Sequence, residues 1–151
     1  MNRYRWIFLF AILSTLQACT PNLDTDLPLS QSDTVAILQT ALNHHSLVAE
    51  AALYLPGQSL KVVQNKVVKP TYRLTFNRQV AQLITINEEG REVREAYPQQ
   101  FIVSFPSVKA IYKNTVILSM IVHSGNSTAL YKMNRNEAGR WRIVSDQRGK
   151  F

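Results

Sequence analysis

The chain has 151 residues and a mass of 17.2 kDa, the size of one domain with room for a targeting segment. Hydrophobic residues make up 46% and charged residues 18%, which excludes a collagen-like, low-complexity or wholly disordered chain. The single cysteine excludes a disulfide framework and a multi-cysteine zinc site, and the formal charge is +7.

The N-terminus opens with Arg3 and Arg5, continues through the apolar run Trp6-Ile7-Phe8-Leu9-Phe10-Ala11-Ile12-Leu13, and reaches Ala18-Cys19. A basic start, a short apolar stretch and a small residue before a cut site make a secretory leader. The run is about half of the ~20 residues that cross a bilayer as a helix, so a permanent transmembrane anchor is not expected. Cys19, the only cysteine, stands at the expected cut. Leu16-Gln17-Ala18-Cys19 resembles the lipobox of bacterial lipoproteins, with Gln17 a less usual residue at its position. The resemblance covers residues 1–19. It implies that the Cys19 thiol receives a diacylglycerol, that residues 1–18 leave as a signal peptide, and that the new amine is acylated. Two or more acyl chains anchor stably where one holds only reversibly. Thr20, in place of an aspartate, implies passage to the outer membrane and residence on its periplasmic face.

The mature chain, residues 19–151, keeps a side-chain charge of +5 once Arg3 and Arg5 are gone. Residues 19–31 hold two prolines, two aspartates and no periodicity, which reads as a lipidated cysteine and a tether. Its twelve residues after Cys19 reach at most ~40 Å. Residues 32–151 read as one domain. Ser32-Asp33-Thr34 predicts a helix start, and Val35, Leu38, Leu42, Ala49, Ala52 and Leu53 follow at helical spacing. Asn43-His44-His45-Ser46 interrupts the helix, and Leu55-Pro56-Gly57 ends it.

Beyond Gly57 the pattern is β. Leu60 to Val68 offers one strand. Tyr72, Leu74 and Phe76 alternate with polar residues, and Val80 to Ile86 predicts a second strand across an Asn77-Arg78 turn. Asn87 to Gly90 is the next turn. A long strand over Phe101 to Tyr112 is expected to bend at Pro106, with Val108, Ala110 and Tyr112 on one face. Lys113-Asn114 connects it to Thr115–His123, which is apolar on both faces and so central. Gly125-Asn126 predicts a hairpin turn. Ala129, Tyr131 and Met133 share a face of the next strand, and Asn136 to Gly139 turns into Arg140-Trp141-Arg142-Ile143-Val144. The expected fold class is α+β: an N-terminal helix packed on a curved antiparallel sheet of about five to seven strands. The element order resembles cystatin-like and NTF2-like folds, which carry many functions.

Reactive constellations are sparse. No Gly-rich phosphate loop, Gly-x-Ser-x-Gly elbow or His-Glu-x-x-His helix occurs. Glu88, Glu89, Glu92 and Glu95 interleave with Arg91 and Arg94 and read as a solvated turn. Glu50 and Asp146 could face each other across helix and sheet, and His123 with Asp146 could be drawn into a triad that lacks a nucleophile motif. His44 and His45 are adjacent and point about 100° apart on a helix. No catalytic residue, metal site or cofactor is therefore expected.

Two binding features remain. Arg73, Lys132, Arg140 and Arg142 are expected on strands, with Lys109, Lys113 and Arg135 nearby, and could form a basic stripe for a partner. Tyr72, Phe105 and Trp141 could line an apolar pocket. The resulting expectation is a lipid-anchored outer-membrane lipoprotein that binds rather than catalyses. Its expected partners are the membrane, through acylated Cys19, and proteins of an envelope assembly such as a secretion, conjugation or pilus system. Nucleic acid is not an expected partner. The alternatives are a carrier or sensor of a small apolar ligand, and a cell-envelope hydrolase.

Overall fold

A computed structural model describes residues 28–54, 56–86, 93 and 97–150. The leader, Cys19, most of the tether and the Glu88–Glu95 run lie outside the described residues. Among the described residues two helices come first, α1 (Gln31–Leu42) and α2 (His45–Tyr54). Eight strands follow: β1 (Lys61–Val63), β2 (Thr75–Phe76), β3 (Gln79–Val80), β4 (Gln82–Ile84), β5 (Ile102–Tyr112), β6 (Thr115–Val122), β7 (Ser127–Arg135) and β8 (Trp141–Lys150). Six strands form one sheet in the order β4-β1-β5-β6-β7-β8, and β2 pairs with β3 separately. The class is α+β, with a mostly antiparallel sheet.

The cap of α1 lies two residues before the expected start. Ser30 is the N-cap, and its hydroxyl accepts from the Asp33 N–H at 3.0 Å and donates to the Asp33 carboxylate at 2.8 Å. That reciprocal pair satisfies groups a helix start leaves open. Leu29 already packs against the core, so the folded domain reaches back into the expected tether. The break at Asn43-His44 is present: the Asn43 side chain caps the Gln39 carbonyl, and α2 restarts on the His44 carbonyl.

Ile37, Leu38, Ala41 and Leu42 of α1 are wholly buried, each large side chain contributing about 1.5–3 kcal/mol. They meet Val116, Leu118, Met120, Tyr131 and Met133 from one face of the sheet. β6 lies between β5 and β7, as its two-sided apolar pattern requires.

Two bulges reset the inward parity of β5. One lies between Ser104 and Ser107, at Pro106, and one between Ala110 and Tyr112. The second turns Tyr112 away from Val108 and Ala110, and it is 63% exposed. A further bulge separates Ile143 from Ser145 on β8.

The sheet departs from the expected all-antiparallel form at one side. β1 runs parallel to both β4 and β5, and the lengths of chain between β1 and β4 and between β4 and β5 suffice to return it in the same direction. The expected Val80–Ile86 strand is split. Val80 closes the small hairpin across Asn77-Arg78, both at positive φ. The Ala81 N–H then binds the Leu74 carbonyl, and Gln82 joins the main sheet.

Candidate functional site

Among the described residues, polar groups converge most densely where α2 meets the second half of β8. Arg148 is the hub. Its guanidinium donates to Glu50 at 2.9 Å, to the Tyr131 hydroxyl at 2.9 Å, to Asp146 at 3.4 Å and to the Ser46 hydroxyl. Glu50 is 11% exposed at its side chain, and its second oxygen accepts from Ser127 at 2.6 Å. Ser46 donates to Asp146 at 3.3 Å, and His44 Nδ1 meets Ser46 Oγ at 2.6 Å. Because the Ser46 proton goes to Asp146, the network assigns the His44 ring as the Nδ1–H donor.

Burial pushes the His44 imidazole below its ordinary value, and His45 and Arg148 push the same way. Asp146 lies 3.7 Å from Nδ1 and pulls upward without reversing the shift. Burial raises the Tyr131 phenol. At Arg148 burial opposes the charge, but Tyr131, Asp146 and Glu50 outweigh it and the guanidinium is held more firmly cationic.

This geometry is not that of a nucleophilic triad. Such a triad uses one ring nitrogen for serine and the other for the acid, whereas His44 presents Nδ1 to both Ser46 and Asp146. The network saturates its own charges and ties α2 to β7 and β8. Glu50 and Asp146 do approach a common point, through Arg148 rather than across a reactive gap. His123 is elsewhere: it follows the end of β6, its Nε2 meets Ser104 Oγ at 2.9 Å on β5, and β7 lies between β6 and the β8 strand that carries Asp146. No three of His, Cys, Asp and Glu form a metal-holding group among the described residues.

A cleft of about 540 Å³ opens beside the network. Glu50 and Ser127 lie at its base, Ala49 and Leu53 of α2 form one wall, and Arg148 and Lys150 of β8 form the other. Leu53 is 81% exposed and makes an apolar lip.

The predicted pocket residues are not at this cleft. Tyr72, Phe105 and Trp141 are buried in the core cluster, and the Trp141 indole donates to Asp33 at 3.2 Å. Arg135 pairs with Asp33 at 3.3 Å and lies 6.0 Å from the Trp141 ring centroid. The Ser30 hydroxyl, followed by Trp141 and Arg135, holds Asp33 below its ordinary value against a smaller effect of burial.

The predicted cations separate. Lys132 and Arg142 share the sheet face opposite the helices, where Arg142 stands across from Asn134. Lys109 lies in one row with Ile117, Lys132 and Ser145. Arg140 sits at the end of the β7–β8 turn, and Arg73 lies outside the six-stranded sheet. Sequence patterning places Tyr131 on a strand face and Ser46 in the helix break, and it gives Arg148 no role. Strict alternation from Trp141 points Asp146 and Arg148 outward, and only the β8 bulge turns them in.

β8 supplies the other open feature. Among the described residues it pairs with β7 alone. It is ten residues long, and its last seven are exposed. The opposite edge, β4, has three residues. No family model, curated protein sequence or solved structure matches this chain.

Proposed function

We propose that the protein is a lipid-anchored, non-enzymatic binding component of a bacterial envelope assembly. Cys19 holds it on the periplasmic face of the outer membrane, and residues 20–28 link the anchor to the domain. The observation that carries the binding mode is the edge of β8, which among the described residues pairs with β7 alone. An edge strand of that length offers a row of backbone donors and acceptors to an extended segment of a partner. Its bulge and its charged residues Arg142 and Lys150 discourage indiscriminate pairing, and they favour a segment that brings acidic side chains. The saturated Arg148 network supports binding over catalysis, since its groups already satisfy one another. The paired helices and the four-strand meander β5–β8 support the cystatin-like or NTF2-like resemblance.

In-cell cross-linking and pull-down of the full-length protein, beside Cys19→Ala, tests this reading. Recovery of defined envelope proteins that depends on Cys19 is expected. Recovery of the correctly localised, lipidated protein alone would count against it. A second reading rests on the α2–β8 cleft, whose volume and Leu53 lip suit a small amphipathic ligand. Mass spectrometry of the purified protein would show that ligand co-purifying.

A further inference from the structure

The two faces of the sheet differ in charge. Four acids occur among the described residues. Asp33, Glu50 and Asp146 all pair with Arg135 or Arg148 on the helix side, and Glu137 lies in the β7–β8 turn. The opposite face carries Lys109, Lys132 and Arg142, all exposed, and no described acid pairs with them. Apolar groups sit among these cations. Leu130 is 40% exposed and Tyr112 is 63% exposed, with Ile117 between Lys109 and Lys132 in register. Toward the start of β5 this face is buried at Ile102 and Ser104, and around Lys109, Lys132 and Arg142 it is exposed.

We propose that this face docks on an anionic phospholipid surface and fixes the orientation of the domain. The inference rests on the lipid-anchor reading. The chain from Cys19 to Leu29 reaches at most ~35 Å, so an acylated Cys19 keeps the domain close to the headgroups. On the helix side Arg135 and Arg148 are neutralised by Asp33, Glu50 and Asp146, and Lys150 stands at the α2–β8 cleft. Lys109, Lys132 and Arg142, which no described acid pairs, lie on the sheet face, and surface charge acts over ~8–10 Å at physiological salt. Exposed Tyr and Leu beside those cations suit the boundary between headgroups and acyl chains better than the backbone of a nucleic acid. Docking on the face also leaves the β8 edge open at the side.

The lipidated full chain in vesicles tests this, because acylation blocks Cys19 and leaves an introduced cysteine as the one thiol to label. A fluorophore at Leu130→Cys reports the sheet face, and one at Ala36→Cys, exposed on α1, reports the opposite side. In phosphatidylglycerol vesicles carrying a headgroup quencher, quenching at position 130 should exceed that at position 36 several-fold. The difference should vanish in phosphatidylcholine vesicles, and in K109Q/K132Q/R142Q with the anchor intact. Equal quenching at the two positions, or a difference that survives the triple substitution, would overturn the proposal. Loss of lipid quenching at 130 on adding a single-stranded oligonucleotide, with the label protected instead, would assign the face to nucleic acid and also overturn it. A chain that shows no acyl mass on Cys19 marks failure of the anchor and not of the face. The same chain is then sedimented with phosphatidylglycerol vesicles. There the triple substitution should weaken binding about a hundredfold, from roughly fivefold per cation, and unchanged binding would overturn the proposal.

Discussion

Arg148 gives the junction of α2 and β8 its geometry, because one guanidinium serves Glu50, Ser46, Tyr131 and Asp146. Arg148→Ala leaves a largely buried Glu50 carboxylate facing Ser127 alone. Breaking a pair this sheltered should cost about 2–3 kcal/mol, below the full cost of a dry pair because Arg148 is partly exposed. A urea titration should show the lower midpoint. His44 supplies a pH signature. Its folded-state value is depressed, so the folded protein binds fewer protons there than the unfolded chain. That contribution is complete above the ordinary imidazole value of ~6.5 and declines as pH falls below it. Urea midpoints measured from pH 7 down to pH 5 should fall, and His44→Gln should flatten that part of the curve. These residues were only half legible in sequence. Glu50 and Asp146 stood out as a pair, but their bridge did not.

At the scale of elements, the helices and the meander follow from periodicity. Ala129, Tyr131 and Met133 share a buried face as alternation requires, and the four strands β5–β8 lie where the turn residues predict. What alternation misses is each bulge. At Pro106 the residue type announces it, whereas at Ile111 and near Val144 no residue type does, so Tyr112 faces out and Arg148 faces in. The parallel pairing of β1 is hidden for a different reason. Three-residue strands carry too little pattern to reveal their neighbours, and long connections decide direction. The small hairpin places Arg78 at φ 67°, a conformation costly for any residue with a Cβ. Arg78→Gly should therefore raise stability by about 0.5–1 kcal/mol, visible as a higher thermal midpoint with an unchanged circular dichroism spectrum.

For the whole molecule, sequence speaks most clearly about where the protein is put and the fold about what it can offer there. On the proposed reading, Cys19 with the leader before it carries the anchor. The domain offers a long basic edge, a cation-bearing sheet face and a saturated polar junction. None of these is a motif, since each depends on strands brought together from distant parts of the chain. That is why Lys132 and Arg142 meet on one face while Arg73, equally basic, lies outside the sheet. On that same reading, the anchored protein works through β8. The most direct test is a photo-cross-linking residue placed at Val144 on β8, with Gln82 on the opposite edge as the comparison, activated in living cells. The account predicts discrete adducts with another envelope protein from position 144, none from position 82, and their loss in Cys19→Ala. Adducts from position 82 with none from 144, or adducts from 144 indifferent to Cys19, would contradict it.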